Sequence, residues 1–269
     1  MLEKIKATCE YLQSQTTLRP RVGIILGTGL GGLVNEIEIV KTIPYGEIPH
    51  FPLSTVEGHH GQLIFGTING VEVLAMQGRF HYYEGYTMEQ VTFPVRVMKF
   101  FGIDTLFVSN ASGGLNPEYV VGDIMIIDDH INMFGTNPLI GKNHSDLGPR
   151  FPDMSEPYCK ALIARAHDIA RKHGIGVKQG VYVGTAGPTF ETPAEYKFFR
   201  IIGGDAVGMS TVPEVIVARH MSMTVFGISI ITDSGVPGQI VEISHEEVQK
   251  VAAAAEPKMT MIIKELIGG

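Results

Sequence analysis

The chain has 269 residues, of which 44% are hydrophobic and 18% are charged, and its formal charge at pH 7 is −7. This negative balance, with no cluster of Lys and Arg, argues against a nucleic-acid partner. No apolar run approaches the roughly 18 residues of a membrane span, and the amino-terminal segment is unlike a secretory signal. Because only two cysteines occur, far apart, we expect a globular cytoplasmic protein without a disulfide framework.

Strand-like and helix-like segments alternate along the chain, which predicts one α/β domain over residues 1–269. Apolar β-type runs lie at 22–26, 62–68, 71–76, 105–109, 124–127, 181–185 and 224–231. The second and third runs are separated by Asn69-Gly70, a pair typical of a hairpin turn, so the sheet is predicted to be mixed.

Polar residues mark the predicted helix starts. Capping patterns begin at Thr87, Ser155, Thr192, Thr211 and Ser244. The helix after Ser155 is predicted to stop at Gly174. Residues 128–153 contain many turn formers and little periodicity, which predicts a long functional or mobile loop.

The first glycine-rich segment follows the strand at 22–26. Gly27, Gly29 and Gly32 fit G-x-G-x-x-G, but the following residues leave room only for a very short helix. Glu47 has the spacing of a ribose-binding acid but ends no strand, which contradicts a dinucleotide site. No Gly-Lys-Ser/Thr follows either, so a P-loop is excluded. Two interpretations remain: a turn that holds a small anion through its N–H groups and the Thr28 hydroxyl, or a tight turn without a ligand.

A second polar cluster follows the run at 71–76. If residues 77–85 stay extended, Arg79, His81 and Tyr83 share one face of the strand. An Arg fork, an imidazole and a phenol suit a phosphate beside a hydroxylated ligand, whereas a solvated strand end is the alternative. His59 and His60 lack metal-ligand spacing, so no metal site is expected, and they either cover an anion or lie on the surface.

Further candidates follow other strands. Residues 109–114 are predicted to form a glycine turn that offers backbone N–H groups. Phe190 suits stacking on a flat ring, and Glu191 suits ring N–H donors, although a helix-start acid is the alternative for Glu191. Ser210 precedes a predicted helix and suits an anion at its start, while Asp233 follows the last strand at an edge where α/β sheets bind ligands.

Five motifs together resemble the trimeric purine nucleoside phosphorylases, in order from about residue 20 to about residue 250. They are GTGLGG at 27–32, QGRFHYYEGY at 77–86, SNASGGLN at 109–116, AGPTFET at 186–192 and VGMSTVPEVIVARH at 207–220. The resemblance implies a mixed, barrel-like sheet flanked by helices, a homotrimer, and no cofactor beyond phosphate as co-substrate.

The resemblance also implies a role for each matching residue. The phosphate site falls on Thr28, His59, Arg79, His81, the backbone of Ala111 and Ser210. The sugar contacts fall on Tyr83, Met209 and His245. The base contacts fall on Phe190, Glu191, Val207, Gly208, Thr232 and Asp233, and catalysis on His81, Glu191 and Asp233.

Two positions depart from the family pattern. Members that act on 6-oxopurines usually carry Asn where this chain has Asp233. The loop 141–149, which often lends an aromatic side chain to the neighbouring subunit's ribose pocket, offers only Leu147.

The implied reaction is reversible phosphorolysis of a purine nucleoside to free base and ribose 1-phosphate, with inosine and guanosine favoured. Bound phosphate stabilises a cation-like sugar and then attacks it, so no protein nucleophile is required. A methylthioadenosine-type phosphorylase and a non-catalytic purine-binding module are the alternatives.

Overall fold

In a computed structural model of the protein, residues 1–27, 31–53 and 61–269 are described, and within them nine strands join one sheet flanked by six α-helices. The strands are β1 Val22–Leu26, β2 Glu38–Pro44, β3 Gln62–Ile68, β4 Val71–Gln77, β5 Thr105–Gly114, β6 Ile124–Met133, β7 Val177–Thr185, β8 Ala206–Gly208 and β9 Thr224–Ser234. The helices are α1 Leu2–Gln15, α2 Met88–Phe101, α3 Lys160–Lys172, α4 Pro193–Ile201, α5 Val212–His220 and α6 His245–Gly268. No helix in the described ranges is long and apolar enough to cross a membrane.

Part of the sheet closes on itself. The strand order is β2-β3-β4-β1-β5-β8-β7-β6-β9, and β9 also pairs with β5, so β5 to β9 form a ring from which the other four strands extend. Antiparallel pairs such as β3–β4 and β6–β9 stand beside parallel pairs such as β1–β5 and β6–β7. The expected mixed, barrel-like sheet flanked by helices is therefore confirmed.

The topology brings the ends of four strands together. Strand β1 is parallel to β4 and β5, and β5 is parallel to β9, so their carboxyl ends lie at one edge of the sheet. Gly27 follows β1 there, and a Cβ at this position would lie 2.7 Å from the Ser109 carbonyl oxygen and 2.9 Å from Cα of Asn110. Glycine is thus what lets the end of β1 approach β5.

Three of the predicted capping boxes are confirmed. The hydroxyl of each cap accepts from the backbone N–H three residues on, at 3.3 Å for Thr87, 3.3 Å for Thr192 and 3.2 Å for Ser244. The hairpin at Asn69-Gly70 is also present between β3 and β4, and the short helix after the first glycine segment is a 3₁₀ turn over Gly31–Glu36.

The helix start predicted at Ser155 is wrong. Helix α3 begins at Lys160, and the Ser155 hydroxyl donates to Asp153 instead (2.6 Å). The intervening backbone is held against the barrel, because the N–H of Cys159 donates to the Val225 carbonyl of β9 at 2.8 Å. Tertiary contacts here override a local helix signal.

Several strand boundaries also differ from expectation. Residues 109–114 are not a glycine turn but the second half of β5, which stays paired with β9 to its end and meets β8 at Gly113. Strand β6 extends to Met133, into the predicted loop at 128–153. Strand β2 carried no recognised signal, since most of its residues are exposed and it has no buried face to impose alternation.

Candidate active site

A solvent-open cleft with about 650 Å³ of empty space lies where β4, β5, β8 and β9 end. It is lined by Arg79, His81, Tyr83, Asn110, Ala111, Ser112, Gly113, Phe190, Glu191, Val207, Gly208, Met209, Ser210, Thr232, Asp233, His245 and Val248.

Arg79 is a buried cation that a carboxylate holds in place. Its Nε and Nη2 donate to the two carboxylate oxygens of Glu214 at 3.1 and 2.7 Å, and its Nη1 donates to the Ser109 carbonyl at 2.6 Å. Both side chains are at most 5% exposed. These contacts fix the plane of the guanidinium at the cleft wall, and they place a buried negative charge behind it.

His81 is held by a neighbouring carboxylate. Glu84 Oε1 accepts from the His81 backbone N–H at 2.7 Å and lies 3.3 Å from the ring Nδ1. This geometry favours the tautomer with hydrogen on Nδ1. Burial lowers the pKa of His81, against the opposing effect of the Glu84 hydrogen bond, so the ring is neutral at pH 7. A neutral imidazole can accept a hydrogen bond from a hydroxyl of a dihydrogen phosphate ion.

Residues 77–85 are predicted to be extended, but the strand is shorter than that. Arg79, His81 and Tyr83 nevertheless come together. Strand β4 stops at Gln77, and a 3₁₀ turn follows at Tyr82–Glu84. Tyr83 nevertheless stacks on the His81 ring, with centroids 4.7 Å apart and planes 14° apart. Arg79, His81 and Tyr83 therefore reach the same cleft by a bent backbone rather than by strand alternation.

The cleft also contains two carboxyl groups. Glu191 precedes α4 and accepts from the Thr185 hydroxyl at 3.2 Å. Asp233 ends β9, where Thr232 donates to its Oδ1 at 2.9 Å and Tyr196 donates to its Oδ2 at 3.4 Å. Burial raises the pKa of both carboxyl groups, against these hydrogen bonds, so each takes up a proton at higher pH than an exposed carboxylate.

The remaining cleft residues differ in exposure. Phe190 is 41% exposed, so one face of its ring is open to a partner. Met209 packs against Gly187, whose φ of 61° and lack of a Cβ permit the close approach. His245 begins α6 at the surface, and its Nε2 lies 3.1 Å from the Gln249 amide nitrogen.

The structure brings thirteen of the fifteen predicted site residues to this one cleft, namely Arg79, His81, Tyr83, Ala111, Phe190, Glu191, Val207, Gly208, Met209, Ser210, Thr232, Asp233 and His245. Thr28 and His59 lie outside the described residues. In the described ranges, no group of three or more His, Cys, Asp or Glu side chains could hold a metal ion.

The residues that support the cleft side chains were not identified from the sequence. Glu84, Thr185, Tyr196 and Glu214 lie outside the cleft lining and each hydrogen-bond to a cleft residue. Asn110 lines the cleft and hydrogen-bonds to Thr211, next to Ser210. The capping pattern that begins at Thr211 predicts Glu214 as its reciprocal acid. That prediction is wrong, because Glu214 pairs with Arg79 and the Thr211 hydroxyl accepts from Asn110.

Residues 141–149 contain no aromatic residue, and Leu147, the residue considered in its place, is 3% exposed and packs in this chain's own core. The exposed aromatic residue of the region is Phe151, which is 87% exposed and lies just beyond the segment considered.

The comparisons with known proteins agree on one family. The model of the phosphorylase superfamily matches residues 21–268. Purine nucleoside phosphorylase 1 of Bacillus subtilis is 51% identical over 99% of this chain and 98% of its own length, and the rat purine nucleoside phosphorylase is 48% identical over 98% and 94%.

Solved structures match equally well. The Schistosoma mansoni purine nucleoside phosphorylase in complex with adenosine superposes with a TM-score of 0.95 at 43% identity, covering 99% of this chain and 97% of that chain. The same organism's enzyme in complex with inosine gives 0.94 at 42% identity, covering 99% and 96%. By sequence and by fold, this chain belongs to the purine nucleoside phosphorylases of the phosphorylase superfamily.

Proposed function

We propose that this protein, as one domain over residues 1–269, catalyses the reversible phosphorolysis of purine nucleosides. The observation that carries the proposal is a single cleft lined both by anion-binding side chains and by carboxyl groups suited to a purine edge. Phosphate is held by Arg79, His81 and Ser210, together with the Ala111 backbone and with Thr28 and His59 of the undescribed segments. Relatives at about half identity carry the name of this activity.

The geometry suits bond breaking without a protein nucleophile. The purine stacks on Phe190, against the walls made by Val207, Gly208 and Thr232. As the bond between C1′ and N9 breaks, its electron pair stays on the purine, and bound phosphate faces the cation-like C1′ and attacks it. The purine takes up the proton that phosphate loses on bonding to C1′, while Glu191 and Asp233 hydrogen-bond to the purine edge. Phosphate is the co-substrate, and no further cofactor enters this mechanism.

A direct assay tests the activity. Incubating the protein with inosine is expected to release hypoxanthine only when phosphate is present, because phosphate supplies the attacking oxygen. Release at the same rate without phosphate would make the protein a hydrolase. Binding of inosine without release in either condition would make it a purine-binding module.

The preference between inosine and adenosine depends on two carboxyl groups with opposite effects. Glu191 accepts from the N1–H that hypoxanthine and guanine carry and adenine lacks. Ionised Asp233 only accepts, which suits a 6-amino group and disfavours a 6-oxo group. We propose that inosine and guanosine remain the better substrates and that adenosine is tolerated. The Asp233 carboxylate is also the feature that would suit a methylthioadenosine-type phosphorylase.

Replacing Asp233 with Asn is expected to lower kcat/KM for adenosine relative to inosine, because the Asn amide donates to a 6-oxo group. In the wild-type protein, burial raises the pKa of Asp233, so acidification protonates this carboxyl group. A protonated Asp233 can donate a hydrogen bond to a 6-oxo group, as Asn does. The inosine-to-adenosine ratio should therefore depend on pH more strongly in the wild type than in Asp233→Asn as the pH is lowered from neutral toward the raised pKa of Asp233. An adenosine preference of the wild type at neutral pH would show that Asp233 outweighs Glu191.

His245 is proposed to bond the 5′-hydroxyl of the sugar at the cleft mouth, with Tyr83 and Met209 along the ribose. A polar group placed to bond a hydroxyl discriminates against the analogue that lacks it. His245→Ala is therefore expected to reduce kcat/KM for inosine by about tenfold and for 5′-deoxyinosine by less than about threefold. Equal losses of kcat/KM for the two nucleosides would show that His245 begins α6 but does not contact the 5′-hydroxyl.

We further propose a cytoplasmic homotrimer, without nucleic-acid or membrane partners. Both cysteines are free, which is compatible with a reducing compartment. The exposed Phe151 lies beside the exposed Ile140, and an apolar surface of this kind suits coverage by a neighbouring copy. Light scattering should give three times the mass of one chain, and the mass of a single chain would contradict the assembly.

A further inference from the structure

Thr211 has a rare backbone conformation beside the cleft. Its φ is 69° and its ψ is −55°, and the Val212 N–H donates to the Ser210 carbonyl at 2.7 Å across it. These values define a classic γ-turn, the strained form of this turn. Thr211 is also β-branched and fully buried, which makes a positive φ least favourable. A conformation of this kind persists only when its surroundings hold it.

The surroundings that hold it are a buried chain of hydrogen bonds. The Asn110 amide nitrogen donates to the Thr211 hydroxyl at 2.8 Å, and the Asn110 amide oxygen accepts from the Ser229 hydroxyl at 2.6 Å. Ser229 in turn lies 2.6 Å from the Ser112 hydroxyl. Asn110, Ser112 and Ser229 are each at most 3% exposed, so water does not compete for these bonds.

The chain of hydrogen bonds reaches Ser210. Thr211 accepts from Asn110, and the hydroxyl oxygens of Thr211 and Ser210 lie 3.2 Å apart, within hydrogen-bond distance. Ser210 also lines the cleft. The strained turn thereby places the Ser210 hydroxyl at the cleft wall, where it can contact an anion.

The same turn begins α5, which carries Glu214. Glu214 fixes the Arg79 guanidinium, whose Nη1 also donates to the carbonyl of Ser109, next to Asn110 in β5. The bond between Asn110 and Thr211 therefore joins β5 to the start of α5 at the point where both elements hold anion-binding groups.

We propose that Asn110 is a positioning residue that holds Thr211 in its strained γ-turn and so places Ser210 for phosphate. The proposal rests on the proposed phosphorolysis only in taking phosphate as the anion. Strain of this kind favours a relaxed turn over the γ-turn by a factor of about 5 to 150 when nothing else holds the γ-turn. Without the Asn110 bond, the turn is expected to relax and Ser210 to leave its position.

Two substitutions at one position separate strain from the loss of the hydroxyl. Thr211→Val and Thr211→Gly both remove the hydroxyl, but only valine keeps the β-branched strain, since glycine adopts a positive φ readily. Thr211→Val is expected to weaken phosphate binding to the free protein about tenfold or more, and Thr211→Gly less than about threefold. Asn110→Leu should weaken phosphate binding as much as Thr211→Val does. The double variant should bind phosphate no more weakly than either single variant.

Calorimetric titration with inorganic phosphate measures the affinity of each variant for phosphate, and a melting curve shows whether each variant is folded. Equal weakening by Thr211→Val and Thr211→Gly would overturn the positioning role, as would additive losses from Asn110→Leu and Thr211→Val. If Thr211→Val does not fold, Thr211→Ala keeps a Cβ without the hydroxyl and takes its place, with the same two outcomes. A wild-type protein that binds no phosphate would instead refute the proposed function.

Discussion

Replacing Arg79 with Met is expected to lower kcat/KM for phosphate by about 10²- to 10³-fold, because a preorganised cation at the reacting anion is lost. The structure adds a second effect, since Glu214 is then left as a buried, unpaired charge. Removing one partner of a buried pair costs about 3–5 kcal/mol in the free energy of unfolding. Phosphorolysis kinetics and denaturant unfolding together measure both effects.

A double variant separates stability from phosphate binding. In Arg79→Met/Glu214→Leu both charges are gone, so the free energy of unfolding should recover while kcat/KM for phosphate stays low. Arg96→Met is the matched control, because Arg96 is another buried arginine, 4% exposed, and lies outside the cleft lining. Recovery of activity in the double variant would show that the single substitution acted through the fold alone.

Replacing Glu191 with Gln is expected to reduce kcat/KM for inosine by about 10²- to 10³-fold, because a charged acceptor at the purine edge becomes neutral. Adenosine should lose less than about tenfold, since its N1 carries no hydrogen for the carboxylate to accept. Initial rates with both nucleosides at saturating phosphate measure the contrast.

Glu195→Gln provides the control for Glu191. Glu195 lies in α4, just after Glu191, but it is exposed and its carboxylate caps the helix start by accepting from the Thr192 N–H at 2.8 Å. Its replacement should leave the inosine-to-adenosine ratio unchanged. Equal losses for inosine and adenosine in Glu191→Gln would contradict a contact with N1–H and leave Glu191 as a structural acid.

The fold was predictable where a local pattern had one solution. The hairpin at Asn69-Gly70 and the caps at Thr87, Thr192 and Ser244 depend on neighbouring residues only, and each is present. Strand β2 and the start of α3 depend on packing against distant strands, so local signals were absent or misleading. A barrel-like sheet was expected from the family resemblance alone, and the pairing of β5 with β9 that closes it is seen only in the structure.

The site was predictable at the cleft surface and not behind it. Residues such as Arg79 and Glu191 belong to short motifs whose chemistry is visible in sequence. Glu214 is 135 positions from Arg79, and Asn110 is 101 positions from Thr211, so only the folded chain reveals those pairs. Thr211 has a polar side chain in a helix-start position, which hid its strained backbone conformation.

Oxygen-18-labelled phosphate tests whether phosphate itself attacks the sugar. With inosine and uniformly labelled phosphate, we expect hypoxanthine and ribose 1-phosphate to form in equal amounts. The ribose 1-phosphate should retain all the label, including the oxygen that bridges phosphorus and C1′, as read by mass spectrometry and phosphorus NMR. Release of free ribose whose C1 oxygen comes from water would instead show that water, and not phosphate, attacks C1′.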